Sequence, residues 1–310
     1  MDIVTLTMNP AVDKSSSIDN VVPEHKLRCD RPQFHPGGGG LNVSRAIKKM
    51  GGDSLGVFPA GGPPGNMLIK LLEQDDLELR TVDIAGLTRE NLTVLEKASG
   101  QQYRFGMPGP EMARDEWEAC FEILDGLDPV PGYLVASGSL PQGVPEDFYA
   151  RLAAFTTDKG IKLILDTSQR PLSLALDQGV FLIKPNLREL ENIWGERFES
   201  EQQQEEQAMA LVSQGKSRVV VVSLGAAGAV LASEEGVRRM RAPTVPIKSK
   251  VGAGDSMVAG IVLALSRGRS VEEAVRHGIA AGAAAVMTPG TELCRGEDVQ
   301  RLFADMQKQE

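Results

Sequence analysis

Cysteine, histidine and aromatic residues are scarce in this chain, and their scarcity excludes several kinds of site. The 310 residues include three cysteines, three histidines and two tryptophans, and aromatic residues make up 5% of the chain. Cys29, Cys120 and Cys294 are odd in number and far apart. They therefore favour reduced thiols over a disulfide framework or a zinc site. The histidines show no metal-binding spacing either.

The chain also lacks an excess of positive charge and any long hydrophobic run. Its net charge of -9 and its pI of about 5.1 argue against a nucleic-acid-binding surface. No apolar run approaches the roughly 18–20 residues that a membrane-spanning helix requires. No secretory leader follows Met1. We therefore expect a cytoplasmic protein that has neither a nucleic-acid partner nor a membrane partner.

From about residue 112 onward, apolar strand-like runs alternate with helical patterns. Such alternation predicts a Rossmann-like, three-layer α/β fold, in which helices cover both faces of a mainly parallel sheet. An antiparallel pair at 228–232 and 237–241 is expected to close the sheet. Ligands bind at the carboxyl ends of parallel strands, so we expect the polar turns that follow the strands to line one edge. The strand-like runs are 133–136, 163–165, 181–183 and 219–222, and the last three helices are predicted at 254–267, 271–286 and 297–306.

Two polar segments, residues 11–34 and 88–107, interrupt this pattern. Both alternate between polar and apolar residues, which predicts that they form one small, half-exposed antiparallel β sheet. We call this sheet the lid. Its cations Arg28 and Arg31 are expected to be solvated charges on a sheet face. The rest of the chain, residues 1–10, 35–87 and 108–310, is predicted to form the main α/β domain.

Two glycine-rich loops, 37–40 and 250–256, each precede an apolar helix. Glycine lets a backbone approach a ligand closely, and the unpaired N–H groups at a helix N-terminus attract anions, above all phosphate. Asp255 is a carboxylate at such a helix start, where a phosphate would bind. It is either an acid that stabilises the helix dipole or a base that faces a substrate hydroxyl beside a bound phosphate.

Two common nucleotide-binding motifs are excluded. Gly215-Lys216-Ser217 ends like a Walker A sequence, but Ala210 occupies the position of its first glycine. A Walker A loop also follows a strand and precedes a helix, and here that order is reversed. The first strand is followed by Asn9-Pro10-Ala11 rather than by a dinucleotide-binding glycine fingerprint, which argues against a nicotinamide-dependent enzyme.

Asn186 and Glu189 are three residues apart at a predicted helix start, and this spacing has two interpretations. Asn186 would cap the helix while Glu189 closes a capping box. Alternatively, the two side chains would hold a magnesium ion through water molecules, beside nucleotide phosphates. The spacing alone does not choose between them.

These features together resemble the PfkB (ribokinase-like) sugar kinases. Gly37-Gly38-Gly39-Gly40-Leu41-Asn42-Val43, the pair Asn186 and Glu189, and Val251-Gly252-Ala253-Gly254-Asp255 occur in the order and at the spacing of that family. The resemblance extends over essentially the whole chain. It implies a ribokinase-type domain with a β lid, and an enzyme that transfers a phosphoryl group from ATP to a sugar hydroxyl.

The resemblance also implies roles for individual residues. Asp255 matches the family's catalytic base, and the backbone N–H groups of Gly252, Ala253 and Gly254 match its anion hole. Because a helix N-terminus stabilises a carboxylate, we expect the pKa of Asp255 to be lowered. The positions that match substrate-binding residues are Asp13, Lys26, Gly38, Gly39, Asn42, Arg89, Arg104 and Ser139. The positions that match nucleotide-binding residues are Lys184, Asn186, Ser223, Gly225 and Gly228, and Lys26 is an alternative nucleotide contact.

Two cations are implied beside ATP. Glu189 would hold Mg²⁺, and a K⁺ site would be built largely from carbonyl oxygens. The chain departs from the family pattern in places: Lys250 stands where most members have threonine, and Thr288 and Glu292 differ from the most similar members. The positions that match the potassium site are Ser249, Val251, Ala285, Thr288, Gly290 and Glu292.

Within the family, the sequence is most similar to members that phosphorylate fructose 6-phosphate. Members that act on fructose 1-phosphate or tagatose 6-phosphate typically have Gly-Gly-Lys-Gly in the first loop, whereas this chain has four glycines at 37–40. We therefore expect fructose 6-phosphate as the substrate. The alternatives are a 1-phosphofructokinase, a tagatose-6-phosphate kinase or, outside the enzymes, a non-catalytic sugar-phosphate sensor. Family members pair their lids, so a homodimer is expected too.

Overall fold

The computed structural model describes residues 1–308, which form two β sheets and the helices that cover the larger one. The strands are β1 (Ile3–Leu6), β2 (Ala11–Ile18), β3 (Gln33–Gly37), β4 (Leu55–Ala60), β5 (Glu78–Asp83), β6 (Arg89–Glu96), β7 (Gln102–Phe105), β8 (Tyr133–Ser137), β9 (Lys162–Asp166), β10 (Val180–Ile183), β11 (Ser217–Ser223), β12 (Ala229–Ser233) and β13 (Gly236–Met240). The α helices are α1 (Gly39–Lys49), α2 (Gly62–Glu73), α3 (Arg114–Asp125), α4 (Phe148–Lys159), α5 (Gln169–Gln178), α6 (Leu187–Trp194), α7 (Glu201–Ser213), α8 (Ala253–Ser266), α9 (Val271–Val286) and α10 (Gly296–Gln307).

The larger sheet has nine strands in the order β13-β12-β11-β10-β9-β8-β1-β4-β5. The strands from β11 to β5 run parallel to one another, and β12 and β13 add an antiparallel edge. This arrangement confirms the predicted mainly parallel sheet and its closing antiparallel pair. Among residues 1–308, no helix is both long and apolar enough to cross a membrane.

Side chains of the central strands point alternately into two hydrophobic layers. In β11, Val219 and Val221 pack in the layer that contains α1, α8, α9 and α10, whereas Val220 and Val222 pack in the layer that contains α3 to α7. All four valines are buried, at 3% exposure or less. Burial on both faces explains why these strands appear in the sequence as continuous apolar runs, and it confirms the three-layer prediction.

Helices α8 and α9 pack very closely through small residues. A Cβ atom at Gly260 would lie only 2.9 Å from the Cα atom of Gly278 and 2.9 Å from the Cβ atom of Ala281. Contacts closer than van der Waals distance would force the helices apart, so this packing requires glycine at position 260. It fixes α8, whose first turn carries Asp255, against the main domain.

The lid is the second sheet, a four-stranded one in the order β3-β2-β6-β7. The predicted antiparallel pairing is found between β2 and β3 and between β6 and β7, whereas β2 and β6 pair in parallel from Ala11 opposite Arg89 to Ile18 opposite Glu96. Both strands leave the main domain at the same edge and run in the same direction, so they meet side by side. The predicted lid boundary at residue 34 falls inside β3. The division into a main domain and a lid stays a prediction.

Candidate active site

Polar residues from four neighbouring strands meet at one edge of the large sheet. Ser137 ends β8, Asp166 ends β9, Lys184 follows β10 and Ser223 ends β11. The sequence predicts this edge, because parallel strands present their carboxyl ends on the same side. Asp166 is not among the residues predicted for the site, although its place at the end of a buried strand already identifies it as a candidate.

Asp255 lies in the first turn of α8, close to this edge. Gly252 precedes the helix with a φ of 75°, and a Cβ atom there would collide with the side chain of Leu293, so this position requires glycine. One oxygen of the Asp255 carboxylate accepts a hydrogen bond from Nδ2 of Asn42 at 2.9 Å. The first turns of α1 and α8, which follow the two glycine-rich loops, are thus joined by a side-chain hydrogen bond.

The pKa of Asp255 is raised to about 7, so the prediction of a lowered value is wrong. Burial is the largest cause, and the negative charges of Asp166 and Asp13 add to it. The hydrogen bond from Asn42 and the charge of Lys184 act in the opposite direction, but they do not compensate. Loss of solvation therefore outweighs the stabilising helix end, and the carboxylate becomes a stronger base than an exposed aspartate.

Lys184 is a buried cation surrounded by carboxylates. It is 6% exposed, and its Nζ atom lies 3.4 Å from an oxygen of Asp166. Burial alone would lower the pKa of Lys184, but the charges of Asp166, Glu189 and Asp255 outweigh it and raise the value. The ammonium group therefore stays charged at neutral pH, beside the carboxylate of Asp255.

Asp13 and the first glycine loop, residues 37–40, form another side of the site. The carboxylate of Asp13 accepts a hydrogen bond from Nδ2 of Asn91 at 2.8 Å, and burial raises its pKa in spite of that bond and of the nearby Arg89. A Cβ atom at Gly39 would overlap the side chain of Ser137. The loop therefore approaches the edge of the sheet as closely as its backbone allows.

A cavity of about 530 Å³ lies between the lid and the loops around residues 250 and 290. Asp13 lines the cavity, and its negative charge raises the pKa of Asp255, so the cavity lies next to Asp255. Arg104, one of the predicted substrate residues, lines the cavity. Arg31 is exposed, as expected of a solvated charge, and it lines the cavity as well. Lys14 is a third cation in the lining, and it is not among the residues predicted for the site.

Of the predicted substrate residues, only Asp13 and Arg104 belong to this lining, and six lie outside it: Lys26, Gly38, Gly39, Asn42, Arg89 and Ser139. Arg89 donates from Nη2 to the carbonyl of Asn9 at 2.9 Å and from Nη1 to that of Met107 at 3.2 Å, so its guanidinium connects backbone segments. Its buried Nε atom has no partner within residues 1–308. Ser139 accepts a hydrogen bond from Nδ2 of Asn9 at 3.1 Å. Lys26 is exposed on the loop between β2 and β3.

The predicted nucleotide residues lie along the ends of β10 and β11. The backbone of Asn186 forms a bridge with that of Ser223, and the amide of Ser223 donates to the carbonyl of Pro185 at 2.9 Å. Gly225 begins a short 3₁₀ helix that Gly228 follows, and both have positive φ angles, of 59° and 100°. These residues form one continuous polar ledge beside Lys184.

The capping box of Asn186 and Glu189 is confirmed. The amide of Glu189 donates to Oδ1 of Asn186 at 3.0 Å, and the amide of Asn186 donates to Oε2 of Glu189 at 2.8 Å. This leaves the second oxygen of Glu189 for a hydrated cation, and Glu189 is close enough to Lys184 to raise its pKa. The chemistry of these donors fits Mg²⁺ held through water. Within residues 1–308, no cluster of three or more acidic, histidine or cysteine side chains could bind a metal directly.

The residues proposed for potassium come together in the loops around residues 250 and 290. Ser249 donates to the carbonyl of Gly290 at 2.9 Å, and Thr288 donates to that of Ala285 at 2.8 Å. Carbonyl oxygens are suitable ligands for K⁺, so the backbone fits, and Val251 lines the same cavity as Gly290. One oxygen of the Glu292 carboxylate pairs with Arg295 at 2.9 Å.

The chain matches the pfkB family of carbohydrate kinases over residues 2–297. An ATP-dependent 6-phosphofructokinase isozyme 2 from Mycobacterium tuberculosis is 45% identical over 301 residues, which is 97% of this chain and 88% of that protein. A 1-phosphofructokinase from Bacillus subtilis is 30% identical over 304 residues, 98% of each chain.

Solved structures of phosphofructokinase-2 from Escherichia coli superpose closely on this chain. Its potassium complex has a TM-score of 0.95 and 41% sequence identity, with 98% of this chain and 99% of the other covered. A tetrameric inhibited form of the same protein has a TM-score of 0.93 and 40% identity, with the same coverage. These superpositions confirm the predicted ribokinase-type fold and its β lid.

Proposed function

Because the chain belongs to the pfkB family of carbohydrate kinases, we propose that it transfers the γ-phosphoryl group of ATP to the 1-hydroxyl of fructose 6-phosphate. The observation that supports this best is Asp255, a carboxylate with a raised pKa at a helix N-terminus, hydrogen-bonded to Asn42 and close to the lid cavity. The 45% identity to a 6-phosphofructokinase supports the choice of sugar.

In the proposed reaction, the 1-hydroxyl oxygen attacks the γ-phosphorus of ATP while its proton passes to the carboxylate of Asp255. The bond between that phosphorus and the bridging oxygen of ADP breaks. The N–H groups of Gly252, Ala253 and Gly254 face the transferring group, where negative charge spreads over three oxygens. Lys184 would balance that charge. The raised pKa of Asp255 makes it an effective proton acceptor near neutral pH.

The nucleotide is proposed to lie on the ledge formed by Lys184, Asn186, Ser223, Gly225 and Gly228. Magnesium would be held there by Glu189 through water, and it would supply charge neutralisation of the ATP phosphates. Potassium would bind to the carbonyl oxygens in the loops around residues 250 and 290. It would supply positive charge next to the anion hole.

The sugar is proposed to bind between Asp13 and the first glycine loop, with its phosphate toward the lid. Because Gly39 lies against Ser137, a lysine at this position has no room without displacing that side chain. The loop then offers only backbone N–H groups. Recognition of the phosphate falls on the lid, where Arg104 and Arg31 line the cavity. This arrangement suits a sugar whose free 1-hydroxyl faces Asp255 and whose phosphate is at the other end.

The expected ranking of substrates follows from this arrangement. At saturating Mg-ATP, kcat/KM should be highest for fructose 6-phosphate and lower for tagatose 6-phosphate, which differs at one hydroxyl. It should be lowest for fructose 1-phosphate, because its 1-position is already occupied. Steady-state kinetics with the three sugars measure this ranking directly.

A higher kcat/KM for fructose 1-phosphate would contradict the argument from the glycine loop and would indicate a 1-phosphofructokinase. Binding of phosphosugars without any ATP turnover would instead indicate the sensor. Asp255 and the loop of Gly252 to Gly254 are intact in this chain, which argues against a sensor.

Replacement of Arg104 by alanine should raise KM for fructose 6-phosphate by roughly 10- to 100-fold, since a hydrogen bond to a charged group contributes about 1.5–3 kcal/mol. KM for ATP should stay nearly constant. Arg104 is exposed, so its loss should not destabilise the fold. Arg28→Ala is the matched control, because Arg28 is an exposed lid cation outside the cavity lining. Equal increases in KM for both substrates would remove Arg104 from phosphate recognition.

The lid exposes apolar side chains that a second subunit would cover. Leu27, Leu95, Phe105 and Met107 are each at least 37% exposed. We therefore propose a homodimer formed through the lids, to be tested by sedimentation at micromolar concentration. A monomer under those conditions would rule it out.

A cytoplasmic location remains part of the proposal, because the free cysteines Cys29, Cys120 and Cys294 suit a reducing compartment.

A further inference from the structure

Arg45 is a buried cation that the proposed reaction does not use. It lies on α1, one turn after Asn42, and is 6% exposed. Its Nε atom donates to the carboxylate of Asp75 at 2.6 Å. Its Nη1 atom donates to Oδ1 of Asn42 at 3.3 Å and lies 3.5 Å from the carbonyl of Pro36. One guanidinium thus connects α1, the end of β3 and the turn after α2.

The polarity of the Asn42 amide makes these contacts directional. An arginine can only donate hydrogen bonds, and an ionised carboxylate can only accept them. Asn42 satisfies both neighbours only when its carbonyl faces Arg45 and its NH₂ group faces Asp255, as in this structure. The reverse orientation would bring donors against Arg45 and an oxygen against Asp255, so both contacts would become repulsive.

We propose that Arg45 is a positioning residue that fixes the amide orientation of Asn42, so that its NH₂ group is held against the carboxylate of Asp255. Asp75 in turn holds Arg45, through a short ion pair that is largely shielded from solvent. The chain of contacts is Asp75, Arg45, Asn42 and Asp255. This inference deepens the proposed function and rests on it for its kinetic consequences.

Other charged groups surround both ends of this chain of contacts. Asp166, Lys184 and Asp13 act on Asp255, and the charge of Arg45 acts on Asp13 and on His35. Removing Arg45 therefore changes more than one interaction. The effect that passes through Asn42 must be separated from the others, and a double-mutant cycle does this.

The cycle compares Arg45→Met, Asn42→Ala and the double variant by two measurements. The first is the titration of the Asp255 carboxyl carbon by NMR, assigned with Asp255→Asn, and it needs no substrate. The second is kcat/KM for fructose 6-phosphate as a function of pH. Arg45→Met should raise the pKa of Asp255, move the acid limb of the rate profile to higher pH and lower kcat/KM by roughly 10- to 100-fold, as for a misplaced catalytic group.

The effects of the two substitutions should not add. Once Asn42 is alanine, loss of Arg45 should change the Asp255 titration little, because its route to Asp255 is gone. Additive effects, or an unchanged titration in Arg45→Met, would overturn the inference. If the wild-type chain phosphorylated no phosphosugar, the proposed function would be wrong, whereas the titration would still decide the role of Arg45.

Two further variants test whether the effect of Arg45→Met is only a loss of stability. Asp75→Asn is a milder change at a partly exposed carboxylate, and it should shift the titration in the same direction by less. Arg239→Met is the matched control, since Arg239 joins β13 to α7 through a partly buried ion pair with Glu205 at 2.8 Å. It should lower the unfolding temperature and leave the Asp255 titration unchanged. A shift in Arg239→Met as large as in Arg45→Met would assign the effect to stability and overturn the inference.

Discussion

Asp255→Asn should lower kcat by at least about 10²-fold, the lower end of what general acid–base catalysis contributes. An asparagine has the size of the aspartate and can still accept the hydrogen bond from Asn42, but it cannot accept the substrate proton. KM for the sugar phosphate should therefore change little. Steady-state kinetics at saturating Mg-ATP measure both parameters, and wild-type turnover by this variant would remove Asp255 from the mechanism.

A stability measurement separates this result from misfolding. The folded state holds the Asp255 proton up to about pH 7, whereas an ordinary aspartate loses it near pH 3.8. The stability that this proton provides is complete below pH 3.8 and is lost as the pH rises through 7. Asp255→Asn should therefore unfold at a higher temperature than the wild type at pH 8. An inactive variant with a lower unfolding temperature would indicate damage to the fold.

Lys184→Met should lower kcat/KM by about 10²-fold or more, the usual loss when a charged group that stabilises a transition state is removed. Without the ammonium group, Asp166 and Asp255 face each other unscreened, so the pKa of Asp255 should rise further. The reaction needs this carboxylate ionised, and activity is lost as the pH falls through its pKa. The acid limb of the kcat/KM profile should therefore move to higher pH.

Two variants test the sign of this shift. Asp166→Asn removes a charge that raises the pKa of Asp255, so its acid limb should move to lower pH. Lys216→Met is the matched control, because Lys216 pairs with Asp177 at 2.5 Å at the amino-terminal end of β11, opposite the site. It should leave the profile unchanged. Shifts in the same direction for Lys184→Met and Asp166→Asn would contradict the electrostatic account.

The sequence predicts the main domain well, because strands buried on both faces are continuous apolar runs and the helices between them are periodic. It also predicts the sheet edge where Lys184 lies and to which Asp255 is close, because parallel strands present their carboxyl ends on the same side. The pairing in the lid was wrong in part, since alternation reveals a half-exposed strand but not which strand lies beside it. The direction of β6 relative to β2 depends on where the main domain places their starting points.

The charges of the site were harder to predict than its residues. The pKa of Asp255 depends on burial and on Asp166 and Asp13, which lie far away in the sequence. Arg45 appears in the sequence as an ordinary polar residue on a helix, and only the folded chain brings it between Asp75 and Asn42. Local patterns identify a helix start and its acid, but solvent access and long-range charge are properties of the tertiary structure.

The parallel pairing of β2 with β6 has a consequence for how the molecule folds. Asp13 on β2 and Asn91 on β6 are 78 positions apart, and the segment between the two strands contains β3, α1, β4, α2 and β5. Closing so long a loop is entropically costly unless the segment between is already ordered. We therefore expect the lid to assemble after the large sheet. The sugar site would then be among the last parts of a newly made chain to form, which gives that chain no binding activity before its core is complete.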